Sequence, residues 1–190
     1  MFGPLWWTLE HKGVRFSGFC DMLAGSGLPE EAELWEWMEA QGKLPRSKHH
    51  VWVTHYPLFM ENLDEPDYEI TDRGQYLDWY FGIDRPQRIR LMEIFQATGT
   101  DLVVSGHVHC HKVHHAAGVR FEIAPSTSFP QYGDRWPDGD DTLGFLQYEV
   151  SDAGIASAFV PLEEVSNAPG YGPGGHVPPA KRDYSLAWER

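Results

Sequence analysis

The sequence predicts an α/β protein with a mixed β-sheet and helices on one side of it. Aromatic and β-branched runs alternate with two segments of helical length, in the order hairpin, helix, strand, helix, strand and then antiparallel strands. The chain of 190 residues has the size of one domain, and 42% of it is hydrophobic. These features predict a globular fold with a substantial core.

The first elements are a hairpin and a helix. Leu5–Glu10 and Val14–Phe19 are runs of strand type that are joined through Lys12-Gly13. Pro29 suits the first turn of the following helix, and Gly42 suits its end. Three apolar residues with helical spacing are expected to face the core: Leu34, Trp37 and Met38.

The middle of the chain supplies a strand, an irregular stretch and a second helix. The strand is His50–Thr54, and the irregular stretch 60–83 contains a short helix around Gln75–Tyr80. The second helix has Asp84 as its N-cap and ends at Gly99. Its Pro86 suits the first turn, and three inward positions are expected: Ile89, either Met92 or Leu91, and Phe95.

The last elements are a strand and two hairpins. The strand is Asp101–Ser105, and it leads into the paired histidines. The hairpins pair Val113–Ala116 with Val119–Ala124 and Leu143–Val150 with Ile155–Val160. Residues 166–190 are rich in Gly and Pro, so we expect a folded domain over 1–165 followed by a flexible tail.

Composition excludes several classes of function. The net charge of −13 disfavours nucleic acid and anionic membrane surfaces as partners, although it leaves room for a small phosphorylated substrate. The sequence has no apolar stretch long enough to span a membrane and no signal-type start. Its two cysteines, Cys20 and Cys110, suit a reducing compartment, so we expect a cytoplasmic protein.

Histidines at strand ends carry the strongest functional signal. His55 follows the run Val51–Val53, and His107 and His109 follow Leu102–Val104 through Gly106. Loops at the carboxyl ends of strands converge on one crevice, and Gly106 favours a sharp turn there. Three imidazoles that meet in this way form a metal site with open positions for water and substrate. The predicted metal ligands are therefore His55, His107 and His109.

These motifs resemble a known family. Thr54-His55-Tyr56-Pro57-Leu58 and Ser105-Gly106-His107-Val108-His109 are similar to the last two motifs of calcineurin-like metallophosphoesterases, particularly the cyclic-nucleotide phosphodiesterase-like branch. The resemblance spans residues 2–162 and includes Phe2-Gly3-Pro4-Leu5-Trp6-Trp7, Gly118–Phe121 and Ala124–Ser128. It implies the C-terminal part of the family's four-layer sandwich.

The resemblance also implies a chemistry. The family uses two Mn, Fe or Zn ions, and a hydroxide that is bound to them hydrolyses phosphomonoesters or phosphodiesters. Matched motif by motif, His55 and His107 ligate one metal and His109 ligates the other. The family's earlier motifs, Asp-x-His, Gly-Asp and Gly-Asn-His-Asp, supply the bridging carboxylate and the catalytic histidine, and none of them occurs upstream of His55. Asp21 follows a strand but lacks the histidine two residues later, so it is not counted as a ligand.

The missing motifs set the expectation for activity. We expect a partial metallophosphoesterase domain that binds at most one metal and is weak or inactive as this chain alone. The catalytic acid and the substrate-binding residues stay unassigned. Because the family's first sheet would be missing, strands Leu5–Glu10 and His50–Thr54 are expected to lack partners on one edge and to favour self-association.

The other histidines have more ordinary interpretations. We expect His49 and His50 to be solvated, and His111, His114 and His115 to occupy exposed strand positions. Cys110 is expected to be a small buried residue. Five residues between the motifs are candidates to cover the site, although surface positions explain them better: Tyr56, Asn62, Arg73, Tyr76 and Arg85.

Two other functions remain open. The first is a complete but non-catalytic domain that is used for binding or regulation. The second is a mononuclear three-histidine enzyme that resembles carbonic anhydrases or cupins in its ligands, but the two helices disfavour a cupin barrel. A metallo-β-lactamase-type site is disfavoured because position 111 is His rather than Asp.

Overall fold

The computed structural model describes residues 3–68, 71–72, 75, 79–130 and 138–165. The strands are β1 (Trp6–His11), β2 (Val14–Phe19), β3 (His49–Val53), β4 (Leu102–Ser105), β5 (Lys112–Ala116), β6 (Val119–Ile123), β7 (Gly144–Ser151) and β8 (Gly154–Pro161). The helices are a short 3₁₀ helix (Asp21–Leu23), α1 (Pro29–Gln41) and α2 (Arg85–Ala97). The predicted tail 166–190 and part of the predicted helix Gln75–Tyr80 lie outside the described residues.

Six strands form one mixed sheet in the order β1-β2-β3-β4-β6-β5, and β7 and β8 form a separate hairpin. Strands β2, β3, β4 and β6 run parallel to one another, while β1 and β5 pair antiparallel with their neighbours. The predicted mixed α/β sheet is therefore confirmed. The parallel arrangement also brings the carboxyl ends of four strands to one edge of the sheet.

In two hairpins of the sheet, the turn residues have the left-handed backbone conformation. Lys12 and Gly13 have φ of 49° and 81°, and Ala117 and Gly118 have φ of 48° and 84°. Two consecutive residues with positive φ form the tight turn that matches the twist of antiparallel strands. Glycine takes this conformation without steric cost, which explains its place as the second turn residue in both hairpins.

The sheet is covered on both faces. The helices α1 and α2 pack on the face that carries Trp52, Val103 and Phe121. The opposite face carries Val51 and Leu102, against which the β7–β8 hairpin packs. The result is a layer of helices, a central sheet and a hairpin layer, with most of the buried apolar area between helices and sheet.

The structure corrects several expected core positions. In α1 Leu34 and Met38 are fully buried and Trp37 packs against the core, as predicted, but the more deeply buried indole belongs to Trp35. In α2 Ile89 is 43% exposed, and Leu91 and Met92 both face the core. His49 and His50 were expected to be solvated, but both are buried because β3 begins at His49 in the middle of the sheet. His50 is only 1% exposed and contacts Ser17 Oγ at 2.9 Å.

The edges of the sheet differ from the expectation in one strand. β3 is a central strand with a partner on each side, so the prediction of a free edge there was wrong. β1 does form one end of the six-stranded sheet, and it exposes Trp7 and Leu9. No helix among the described residues is long and apolar enough to cross a membrane.

Candidate metal site at the carboxyl ends of the parallel strands

Polar side chains follow three of the four parallel strands at the shared edge of the sheet. Asp21 comes two residues after β2, His55 comes two residues after β3, and His107 comes two residues after β4. The sheet therefore places these three residues on neighbouring loops, as expected for a crevice at strand ends. Both predicted motifs lie at this edge.

His55 and His107 form a close pair. The distance between His107 Nδ1 and His55 Nε2 is 3.2 Å, and the ring centroids are 4.9 Å apart. With metal–nitrogen bonds of about 2.0–2.1 Å, neighbouring ligand nitrogens lie about 2.8–3.0 Å apart in octahedral and about 3.3–3.4 Å apart in tetrahedral geometry. The observed separation therefore suits two ligands of one metal ion. His55 is exposed and His107 is half-buried, so the pair is open to solvent on the His55 side.

The hydrogen bonds of His107 fix its tautomer. Its Nε2 lies 3.0 Å from the carbonyl oxygen of Tyr80, which can only accept, so Nε2 carries the proton. The lone pair of the neutral ring is then on Nδ1, which faces His55. The pKa of His107 is lowered to about 4, mainly by burial and also by the nearby His55 and His109, while the hydrogen bond to the Tyr80 carbonyl opposes the shift, so the ring is neutral at pH 7. A histidine that donates one N–H to a carbonyl and presents its other nitrogen has the form of a metal ligand.

Aromatic rings hold His107 in place. The ring of Tyr56 packs against it at a centroid distance of 4.1 Å and that of Tyr80 at 4.7 Å. The backbone at this point is unusual, because His107 and His109 have φ of 66° and 58°. Gly106, which we expected to provide the sharp turn, has no positive φ. The left-handed conformation is instead taken by the two histidines, at a steric cost that glycine would avoid.

Asp21 supports the loop that carries His55. Its Oδ2 accepts hydrogen bonds from the backbone N–H groups of His55 at 2.7 Å and Tyr56 at 2.5 Å. The side chain is buried, and this burial raises its pKa even though both backbone bonds and His55 act in the opposite direction. Asp21 therefore connects the end of β2 to the loop that follows β3.

His109 lies beside this pair in a different environment. Its ring packs against Phe129 with a centroid distance of 4.5 Å. Within the described ranges, no group of three or more His, Cys, Asp or Glu side chains is arranged to hold a metal ion. The structure thus brings His55 and His107 together, while the full ligand set with His109 stays a prediction.

The remaining histidines near the motif have structural partners. His111 Nε2 lies 3.1 Å from the buried carboxylate of Glu122, and His114 is half-buried against Phe59. The expectation that His111 and His114 are exposed was therefore wrong. His114 is one of the alternate side chains that β5 directs inward, whereas His111 precedes β5 and stacks on the ring of Phe159 at a centroid distance of 5.8 Å. His115 is exposed as expected. Cys110 is fully buried, as predicted.

Sequence reasoning missed two residues of the site. Tyr80 acts through its carbonyl oxygen, for which no sequence pattern exists, and Asp21 acts through backbone groups rather than as a motif ligand. The position of Asp21 after a strand was the available signal. Of the candidates to cover the site, Tyr56 contacts His107, Asn62 and Arg85 are exposed, and two lie outside the described residues: Arg73 and Tyr76.

The sequence of this chain is similar to that of proteins named as phosphatases. The chain is 34% identical over 77 residues to the human serine/threonine-protein phosphatase CPPED1, a stretch that covers 39% of this chain and 21% of the relative. It is 27% identical over 150 residues to the same-named protein of Danio rerio, which covers 74% of this chain and 41% of the relative. The chain thus spans less than half the length of these relatives. No family model matches the chain.

Several solved structures have a fold similar to that of this chain. One is described as GAP50, the anchor in the inner membrane complex of Plasmodium, with a TM-score of 0.58 and 15% identity over 82% of this chain and 50% of that one. Another is the purple acid phosphatase PPD1 of yellow lupin, with a TM-score of 0.52 and 12% identity over 82% of this chain and 30% of that one. PhoD gives a TM-score of 0.52 and 10% identity over 82% of this chain and 41% of that one. The predicted resemblance to part of a metallophosphoesterase sandwich is therefore confirmed at the level of the fold.

Proposed function

We propose that this chain, a relative of the calcineurin-like metallophosphoesterases with their fold, forms part of a phosphoesterase domain. We expect this domain to act on small phosphorylated substrates. In this proposal His55 and His107 bind one metal ion, and His109 is a further ligand at the same site. A bound Mn, Fe or Zn ion would supply Lewis-acid stabilisation of charge that develops on a phosphate ester. The site is expected to hold at most one such ion in this chain.

The observation that carries the proposal is the pair of ring nitrogens at 3.2 Å. The proton on His107 Nε2 is held by the Tyr80 carbonyl, so the Nδ1 lone pair is available on the side of His55. His55 Nε2 donates to this lone pair and would have to move its proton to Nδ1 to become a ligand as well. Because His55 is exposed to water, the free-energy cost of this change of tautomer is small.

The neighbouring residues keep the pair in position. The bonds from Asp21 fix the backbone at His55 and Tyr56, and the rings of Tyr56 and Tyr80 confine His107. Ligands that are held in this way before the metal arrives lose little freedom on binding it. The general acid and the bridging carboxylate of the family stay unassigned, so weak or absent turnover by this chain alone remains our prediction.

A second candidate function is a non-catalytic binding domain. In the structure His55 and His107 satisfy each other with a direct hydrogen bond, so the pair is stable without a metal. One neighbour in fold, GAP50 of Plasmodium, is described as an anchor rather than as an enzyme. Under this alternative the fold would be kept for its surfaces.

Metal binding separates the two functions. Isothermal titration of the EDTA-treated chain with Mn²⁺ and with Zn²⁺ is expected to give one ion per chain, and His107→Ala and His55→Ala should each weaken binding at least about tenfold. The matched control is His115→Ala, which changes an exposed histidine on β5. Melting curves identify any variant that fails to fold. Absence of binding to the wild-type chain would favour the binding domain, and two tightly bound ions with efficient aryl phosphate hydrolysis would contradict the depleted site.

The cytoplasmic location also stays a prediction. It is supported by the free thiols of Cys20 and Cys110, which suit a reducing compartment.

A further inference from the structure

A cavity of about 240 Å³ opens beside the histidine pair. It shares three residues with the surroundings of that pair, since Asp21 holds the His55 loop and the rings of Tyr56 and Tyr80 pack on His107. Three further residues matter for its chemistry: Trp79, Ile83 and Asp84. The cavity therefore lies where a group attached to a phosphate at the histidine pair could extend.

Three aromatic side chains contribute to the walls of the cavity. The side chains of Tyr56, Trp79 and Tyr80 are only partly buried, and all three line it. The faces of aromatic rings carry partial negative charge and attract organic cations, most strongly when several rings surround one cation. Such walls bind a weakly hydrated ammonium group better than a strongly hydrated anion.

The charged residues that line the cavity also favour a cation. The lining includes the carboxylates of Asp21 and Asp84, and no lysine or arginine occurs among the lining residues that the structure describes. Partial burial and then repulsion by the nearby charge of Asp67 raise the pKa of Asp84, while Arg88 and a hydrogen bond from the Trp79 side chain act in the opposite direction. A cation in the cavity would relieve this repulsion.

Arg88, the cation whose charge acts on Asp84, already has other partners. Arg88 acts on Asp84 electrostatically, but its guanidinium is buried and donates to the carbonyl oxygens of Ile83, Leu63 and Glu65. It also lies 3.7 Å from the buried Glu65 carboxylate. These contacts engage its guanidinium, and Arg88 does not line the cavity.

We propose that the cavity binds a quaternary ammonium group between Tyr56, Trp79 and Tyr80, with Asp21 and Asp84 as its counter-charges. Together with the proposed function, on which this last step rests, the substrates would be phosphate esters of an alcohol that carries a trimethylammonium group. Binding of the cation itself requires neither a metal nor turnover.

The test compares choline with its neutral isostere 3,3-dimethyl-1-butanol. Calorimetric or NMR titration of the full chain is expected to show choline binding about tenfold more tightly than the isostere, because only choline gains the cation–π and carboxylate interactions. Trp79→Leu and Asp84→Asn should each weaken choline binding about fivefold or more. The control is Asp64→Asn, which removes an exposed carboxylate that does not line the cavity.

The variants are chosen so that folding does not obscure the result. Asp84 is the N-cap position of α2, but its side chain makes no capping hydrogen bond, so Asn can replace it. Equal binding of choline and the isostere would mean a purely apolar cavity, and binding of inorganic phosphate without choline would mean an anion site. Either result, or no binding of choline, overturns the proposal. Because this titration is done without metal, its failure is distinguishable from failure of the proposed phosphoesterase function.

Discussion

Replacing Asp21 tests how the site is held together. Its carboxylate accepts two backbone hydrogen bonds, from His55 at 2.7 Å and Tyr56 at 2.5 Å. Asp21→Ala leaves both N–H groups without this acceptor, at a cost of about 1–3 kcal/mol each when they are buried. Because His55 is exposed, we take the lower part of that range and expect the free energy of unfolding to fall by about 3 kcal/mol in total. For a domain of this size the melting temperature should then fall by about 6–12 °C.

Asp21→Asn should behave differently. Asn retains one acceptor oxygen for the same backbone groups, but it carries no charge. Burial raises the pKa of Asp21, which means that the fold disfavours the ionised carboxylate relative to the unfolded chain. The neutral amide avoids this penalty, so Asp21→Asn is expected to be as stable as the wild type or more stable.

Urea unfolding followed by tryptophan fluorescence at pH 7 measures both variants. Metal titration of the same proteins shows whether the loop still presents His55, and we expect Asp21→Ala to bind more weakly than Asp21→Asn. If Asp21→Asn loses as much stability as Asp21→Ala, the charge of Asp21 is what stabilises the loop, and our reasoning from burial is wrong. If Asp21→Ala loses no stability, the two hydrogen bonds do not support the loop.

Two further predictions concern acid stability and self-association. Burial lowers the pKa of His50 from 6.5 to about 4, so the unfolded chain gains a proton before the folded protein does, and stability should be lost as the pH falls from about 6.5 to about 4. Urea titrations at pH 7, 5.5 and 4.5 measure the free energy of unfolding, which should fall less for His50→Gln than for wild type, by about 1.4 kcal/mol per pH unit. His115→Gln is the control. Equal decreases in His50→Gln and wild type would contradict the lowered pKa of His50. The exposed edge strand β1 should promote self-association, so light scattering is expected to show smaller particles for Leu9→Lys than for wild type, and a monodisperse wild-type monomer would refute this.

Elements with local signals could be predicted from the sequence. Lys12-Gly13 and Ala117-Gly118 identify tight turns, because few residues other than glycine take a positive φ readily. Pro29 indicated the start of α1 for a similar reason, since proline suits a first helical turn. In each case the conformation of one or two residues decides where the element begins or ends.

Burial could not be predicted where it depends on distant partners. His50 has the polarity of a surface residue, yet it is buried because Ser17 and the carbonyl of Thr98 provide hydrogen-bond partners from other elements. The strand-end rule predicted that His55 and His107 lie close together, as the structure shows, while their role as metal ligands stays a prediction. It did not identify Tyr80, whose contribution is a backbone carbonyl brought in by the packing of a distant loop.

The backbone at the Gly-His-x-His motif gives an independent reason to regard it as functional. His107 and His109 both take the left-handed conformation, which costs a residue with a Cβ about 1–2 kcal/mol, although a glycine precedes them directly. A chain under selection for stability alone could place glycine at those positions and avoid the cost. Strain of this kind persists where the side chain is needed in one orientation. At His107 that orientation points Nε2 to the Tyr80 carbonyl and Nδ1 to His55, so the strained residue is also the one that connects the two loops of the candidate site.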